Sequence, residues 1–549
     1  RKKHFLFASV LALLCGSSAL HAQDFKLTSS GYFKNQGVDI MAFDDIYPEG
    51  HQGGVCIIMN GHRVATNGDI RLEATPGQWQ PVPKQLDRKL GDNSITATLC
   101  YPDSSRHLTG FNPMIYPDLH LIYTVNVESK GKNIEVTVDL DRPIPQEFIG
   151  KVGFNLEFFP GSLFGKPWIM DGQSGIFPQQ PNSPLMTTQP NYLHTGNYHD
   201  GKQSLADMDK LIGKGYSPIV ADDIISEPYA KGRKFTSRPD DPYNKVTIES
   251  LSGDLQLFDG RMNHNNGWFV LRSNIKPGVT KGAVKWIITP NVVADWMYQP
   301  VIQTSQIGYH PTQDKEAVIE MDIRDNRKET AQIIRIDADG EKVVKNVTPA
   351  NWGKFLRYNY LKVDFTDVKE AGLYKIKYDT SVSPIFRIDN DVYARGVWQP
   401  VLEYFLPVQM CHMRVNEKYR VWHDCCHMDD AQMAPAHNHI DGYDQKEGLS
   451  KFKPGEVVPG VNIGGWHDAG DFDLRIESQA GESYILALAY EAFHPNLDVT
   501  SIDQINRVTE IHQPDGKNDL LQQVENGALT VVNGYLALGR LYRGIICND

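Results

Sequence analysis

The chain has 549 residues, enough for three or four domains of ~100–200 residues each. Its 41% hydrophobic and 22% charged content is ordinary for globular protein, and its net charge is −12. With acidic and basic residues mixed along the chain, that charge argues against nucleic acid or an anionic membrane surface as the main partner. It leaves a neutral polymer such as a polysaccharide open.

Residues 1–22 read as a secretory signal peptide. Arg1, Lys2 and Lys3 form a basic start, Phe5 to Leu14 an apolar stretch, and Leu20-His21-Ala22 a cleavage site before Gln23. The expected location is therefore secreted: periplasmic, cell-surface or extracellular. Leu14 precedes Cys15 where a lipoprotein would carry a small residue, so lipid anchoring is disfavoured. No segment reads as a transmembrane helix. Of the seven cysteines, Cys56 and Cys100 could pair in an oxidising compartment. Cys411, Cys425, Cys426 and Cys547 lie in a different region.

Residues 23–297 read as a β-rich accessory domain. Ile134 to Leu140 alternates apolar and polar residues, as a half-buried strand does. Lys245 to Ser250, Leu255 to Asp259 and Trp268 to Asn274 are further strands bounded by Gly, Asn and Asp. Strands with one apolar face must bury it, which predicts an N-terminal all-β sandwich. Trp79, Trp168, Trp268 and Trp286 are either its core or a sugar platform.

Residues 298–389 predict a second, smaller sandwich of immunoglobulin-like kind. Gln332 to Ile336 and Glu341 to Val344 flank Asp339-Gly340, a hairpin signal, and Gly372 to Tyr378 alternates. At Asn390 the pattern turns helical. Asp391 to Met410, Ser478 to Phe493 and Asp519 to Tyr542 read as helices, the second with an apolar side at Tyr484, Ile485, Leu488, Ala489 and Ala492. An all-α region after β domains suggests a separate domain.

Two features in this region carry chemistry. Cys411-His412 and Cys426-His427 supply two thiolates and two imidazoles, a tetrahedral zinc set; buried thiols with surface histidines are the alternative. The second is Gly464-Gly465-Trp466-His467-Asp468-Ala469-Gly470-Asp471-Phe472-Asp473. Carboxylates at the spacing of Asp468 and Asp471 can converge on one water, one as general base and the other holding the water in line. The flanking rings of Trp466 and His467 suit a sugar, whose faces are apolar and whose edges are hydroxyl, and make them candidate substrate-binding residues; packing in the helical domain is the equal alternative for Trp466. A solvated Asp-rich turn or a cation-binding loop is the plainer reading of D-x-x-D alone.

The whole string is more specific. It resembles the Asp-Ala-Gly-Asp signature of glycoside hydrolase family 9, the cellulase and endoglucanase family. Gln306-Ile307-Gly308-Tyr309-His310-Pro311 likewise resembles the opening of the immunoglobulin-like domain that precedes many family 9 catalytic domains. The resemblance implies that residues 390–549 begin an (α/α)6 barrel. It implies inverting hydrolysis of β-1,4-glucosidic bonds in cellulose, mixed-linkage glucan or xyloglucan, with Asp471 as base and Asp468 positioning the water. It implies structural zinc on Cys411, His412, Cys426 and His427, and it leaves calcium possible. Twelve helices of about 11–12 residues need more chain than follows Asn390, so a C-terminally truncated enzyme is expected, its general-acid Glu beyond Asp549 and the fragment inactive by itself. The alternatives are a glycan-binding surface protein without catalysis, or an exo-acting relative such as a glucosaminidase.

Overall fold

The computed structural model describes residues 24–44, 46–47, 50–51, 53–73, 75–76, 83–101, 119–183, 186–188, 224–262, 267–429, 431–436, 439–440, 443–444, 446–469 and 472–546. The signal segment 1–22, Trp79, His437, Asp471 and Cys547 lie outside them. The chain divides into two compact units, one ending at Tyr298 and the other running from Gln299 onward.

The first unit is a large sandwich of two nine-stranded sheets. The alternating segment read from sequence is the strand Asn133–Leu140, which buries Ile134, Val136, Val138 and Leu140. Leu255–Asp259 and Phe269–Asn274 pair in the other sheet. Trp286 is fully buried and meets Phe154 edge-on at 4.9 Å, and Trp168 is buried too. These two indoles are core, not sugar platform. Cys56 and Cys100 stand on strands of different sheets and no disulfide joins them, so the pairing that the sequence left open is not formed. A charged network is sealed inside this unit. Arg272 Nη1 lies 3.4 Å from Glu73 Oε1, and Arg272 Nη2 donates to the Glu73 carbonyl at 2.7 Å. Burial lifts the Glu73 carboxyl to about 7, against the pull of Arg272.

The second unit opens with the smaller sandwich. A four-stranded sheet has the order Val301–Gln303, Glu316–Asp322, Tyr358–Asp364, Ala350–Phe355. It faces a five-stranded sheet built around Ala331–Asp337 and Gly372–Tyr378, with Ile319, Ile333, Leu361, Val363 and Ile376 between them. Tyr309 anchors the opening segment, its ring 5.1 Å from Phe365 and 5.3 Å from Phe386. The predicted hairpin forms one residue earlier than expected: Asp337 pairs with Gly340, leaving Ala338 and Asp339 as the turn.

After this sandwich come three helices, α1 (Gln399–Gln409), α2 (Ile476–Phe493) and α3 (Asp519–Leu538). Helix α1 begins eight residues later than its predicted start. Pro400 stands in the first turn, where its missing N–H costs no hydrogen bond, and Pro407 stands inside the helix. Helix α3 starts on the Asn518 cap, whose side chain accepts the Leu520 N–H, and stops at Gly539 in a left-handed conformation. The region is not purely helical. Arg414–Glu417, Arg420–His423, Thr500–Asp503 and Val508–Ile511 form a four-stranded sheet, with Arg414–Asn416 parallel to Val508–Glu510. The side of α2 predicted to be apolar is outward: Tyr484, Ile485 and Leu488 are exposed. Helix α3 instead buries a polar stripe of Gln522, Gln523, Asn526 and Thr530.

Candidate active-site loop and metal centre

The polar stripe of α3 explains how the glycine-rich loop is held. The Gly465 N–H donates to the Asn526 carbonyl at 2.8 Å, and Asn526 Nδ2 donates to the Gly465 carbonyl at 3.1 Å. Gly464 (φ 73°) lies so close to α3 that a Cβ there would meet the Asn526 carbonyl oxygen at 2.2 Å. On the other side, the His467 N–H donates to the carbonyl of Gln409 at the end of α1, at 2.7 Å. Loop backbone thus exchanges hydrogen bonds with all three helices, because Gln479 on α2 also accepts the Trp466 N–H at 2.8 Å. Gln479, Gln523 and Asn526 were not legible as site residues. Their only signal is polarity recurring on the buried side of a helix.

Trp466 is 1% exposed, packed with Leu406, Met410, Met413 and Val415. Its Nε1 donates to Gln523 Oε1 at 3.1 Å. This corrects its expected place in a sugar subsite. A buried indole needs a partner for its N–H, and the loop supplies one from α3.

The two Cys-His pairs do not converge as whole pairs. Cys411, Cys426, His427 and His467 each bring a ligand atom within 4.8 Å of all the others. Cys426 Sγ is 3.8 Å from Cys411 Sγ and 3.5 Å from His467 Nε2. A tetrahedral zinc with ~2.3 Å bonds to sulfur and ~2.0–2.1 Å bonds to imidazole nitrogen separates two sulfurs by about 3.8 Å and sulfur from nitrogen by about 3.6 Å. The donor set therefore fits such an ion in both chemistry and spacing. His467 is buried in this cluster, which corrects its expected role against substrate. His412 is the ligand displaced. Its Nδ1 lies 2.9 Å from the Gly464 carbonyl oxygen, and its ring nitrogens are not among the converging ligand atoms. Burial lowers the His412 pKa. Cys425 stays out of the cluster, its Sγ 3.9 Å from the Arg507 carbonyl oxygen. The Cys426 thiol is pushed down to about 3, first by its contact with Cys411 and further by His467, despite burial. Among the described residues no second group of three or more such side chains exists that could hold calcium.

Asp468 follows the last ligand directly. Its Oδ2 lies 2.9 Å from Arg475 Nε, and Arg475 Nη2 reaches the buried Asp473 Oδ2, also at 2.9 Å. The Asp468 N–H donates to the Asp473 carbonyl at 2.8 Å, which closes the loop on itself. Phe472 (φ 61°) points outward, its ring edge-on to His467 at 5.3 Å. Two glutamates of α2 are near in sequence. Glu477 pairs with Arg543. Glu482 is half-buried and its carboxyl is raised to about 7, first by desolvation and then by the charge of Asp468.

Comparison with known proteins defines the class first. Residues 297–383 match the family described as the cellulase N-terminal immunoglobulin-like domain. Endoglucanase D of Acetivibrio thermocellus is 22% identical over 238 residues, 43% of this chain and 34% of that protein. Among solved structures, a metagenome-derived glycoside hydrolase family 9 endoglucanase is 24% identical, with 45% of this chain and 42% of that chain aligned and a TM-score of 0.35. A zinc-binding triple mutant of a family 9 endoglucanase is 24% identical over 41% of this chain and 38% of that chain, with a TM-score of 0.30. The chain spans about a third of the length of the curated relatives it matches. Residues 297–383 of this chain thus match a cellulase-type immunoglobulin-like domain, and the chain is similar in sequence to an endoglucanase.

Proposed function

We propose that the chain is part of a secreted glycoside hydrolase that cleaves β-1,4-glucosidic bonds of a plant-type glucan with inversion. The observation that carries this reading is the loop 464–469. A Cys2His2 cluster and the polar stripe of α3 brace it from two sides, and the braced segment ends in Asp468. Asp471, three residues on, is the general base that takes a proton from water. Asp468 orients that water, and Arg475, 2.9 Å from its Oδ2, fixes its direction. An inverting reaction needs its acid on the other side of the scissile bond, about 6.5–9.5 Å from the base, and that role is assigned to no residue of this chain.

Zinc held by Cys411, Cys426, His427 and His467 would be structural, since four protein ligands leave no open position. It would tie the segment after α1 to the loop and hold Asp468 one residue from a fixed point. No helix among the described residues is long and apolar enough to cross a membrane.

The test is proton NMR of the sugar first released from mixed-linkage β-glucan by the full-length protein. The α-anomer is expected at early times. A first-formed β-anomer, or no release from any β-glucan, contradicts the reading.

A further inference from the structure

A cluster of rings in the immunoglobulin-like sandwich takes no part in the loop or the metal centre. The hairpin Ala350–Phe355 and Tyr358–Asp364 closes the four-stranded sheet at one edge. Trp352 sits on a bulge in the edge strand: Asn351 pairs with Leu361 and Gly353 with Tyr360, so Trp352 has no opposite residue. An extra residue of this kind re-aims its side chain, and the Trp352 indole is 59% exposed. Its ring stands edge-on to Tyr360 at 5.6 Å, and Tyr358 follows 6.0 Å from Tyr360. Phe355 is 56% exposed and Leu356 77%. Leu356 has a φ of 51°, as the two-residue hairpin turn it begins requires.

Single exposed apolar residues are unremarkable, but three within five residues, backed by two tyrosines, form a patch. Polar groups run through it. Tyr360 Oη donates to Glu320 Oε2 at 3.1 Å. On the same face of the sheet Lys362 Nζ lies 2.6 Å from Glu316 Oε2. A pyranose offers an apolar C–H face to a ring and hydroxyls to the carboxylate and ammonium groups beside it. The other common use of a sheet edge is pairing with a protein strand. Here the bulge breaks the ladder and Lys354 stands exposed on it, both devices that block strand addition.

We propose that this hairpin is a glycan-binding platform for a β-linked glucan chain, with Trp352 as its stacking ring. The choice of glucan rests on the function proposed above; the stacking geometry does not. Electrophoresis through native gels containing mixed-linkage β-glucan or xyloglucan reads binding without turnover when the protein carries Asp471→Ala. Retardation in at least one gel is expected, weakened about tenfold by adding Trp352→Ala and largely kept by Trp352→Tyr, with all variants melting at one temperature. Equal retardation with and without Trp352→Ala, or none in either gel, overturns the platform. Retardation that depends on Trp352 in a protein whose Asp471 form releases no sugar supports the platform and removes the hydrolase reading instead.

Discussion

Gln479 holds the main chain of Trp466 with both ends of its amide: Oε1 accepts the Trp466 N–H at 2.8 Å, and Nε2 donates to the Trp466 carbonyl at 2.8 Å. Both residues are almost wholly buried. Gln479→Ala therefore strands two buried backbone groups, each at a cost of about 1–3 kcal/mol. Urea unfolding should show a loss in that range or above. A loss below about 1 kcal/mol would mean that the clasp does not hold the loop.

The metal centre discriminates between two histidines that sequence alone could not rank. His467→Ala and Cys426→Ser remove ligand atoms from the cluster and should abolish stoichiometric zinc, measured by mass spectrometry of the dialysed protein. His412→Ala should keep zinc, because its ring nitrogens are not among the four converging ligand atoms. Loss of zinc in His412→Ala with retention in His467→Ala would restore the pairing expected from the sequence. Chelation should lower the melting temperature of the parent more than that of His467→Ala.

Glu482 predicts a pH dependence of stability. Its carboxyl is raised in the fold from an ordinary 4.5 to about 7. Below 4.5 the folded and unfolded chains both hold this proton, and between 4.5 and 7 the folded chain alone holds it. Its contribution to stability therefore falls as pH rises through that window and is level above it. Glu482→Gln should be more stable than the parent at pH 8, and the two should converge near pH 4. A difference that does not change with pH would contradict the desolvation of Glu482 beside Asp468.

In the N-terminal sandwich, Arg272→Met removes the cation that acts most strongly on buried Glu73 and leaves only Arg71 beside it. Removing one member of a buried pair costs about 3–5 kcal/mol, so the unfolding transition of this unit should move to lower denaturant. The double variant Arg272→Met with Glu73→Gln should recover part of that loss. No recovery would show that the pair is uncoupled.

Much of this architecture is legible in residue order. Alternation gave Asn133–Leu140 and Gly372–Tyr378 closely, because a strand buried on one face writes its period into the sequence. The four soft ligands stood out for their rarity, yet one was misplaced. His467 lies inside a string read for its carboxylates, and which histidines bring a nitrogen to the thiols is a property of the folded loop. Trp466 was misread for a related reason: an indole suits a core and a sugar equally until its N–H partner, Gln523, is known. The direction of α2 was hidden as well, since the side that grips the loop does so through Gln479 and not through its apolar residues. Helical periodicity reports apolar faces and is silent about polar ones that bind backbone.

The central claim is that the loop ending in Asp468 and Asp471 is catalytic. Reducing-sugar release from mixed-linkage β-glucan by the full-length protein, compared with its Asp471→Ala form at equal zinc content, tests it most directly. The account predicts release by the first and none above background by the second, with both melting alike. Equal release by the two proteins would contradict it.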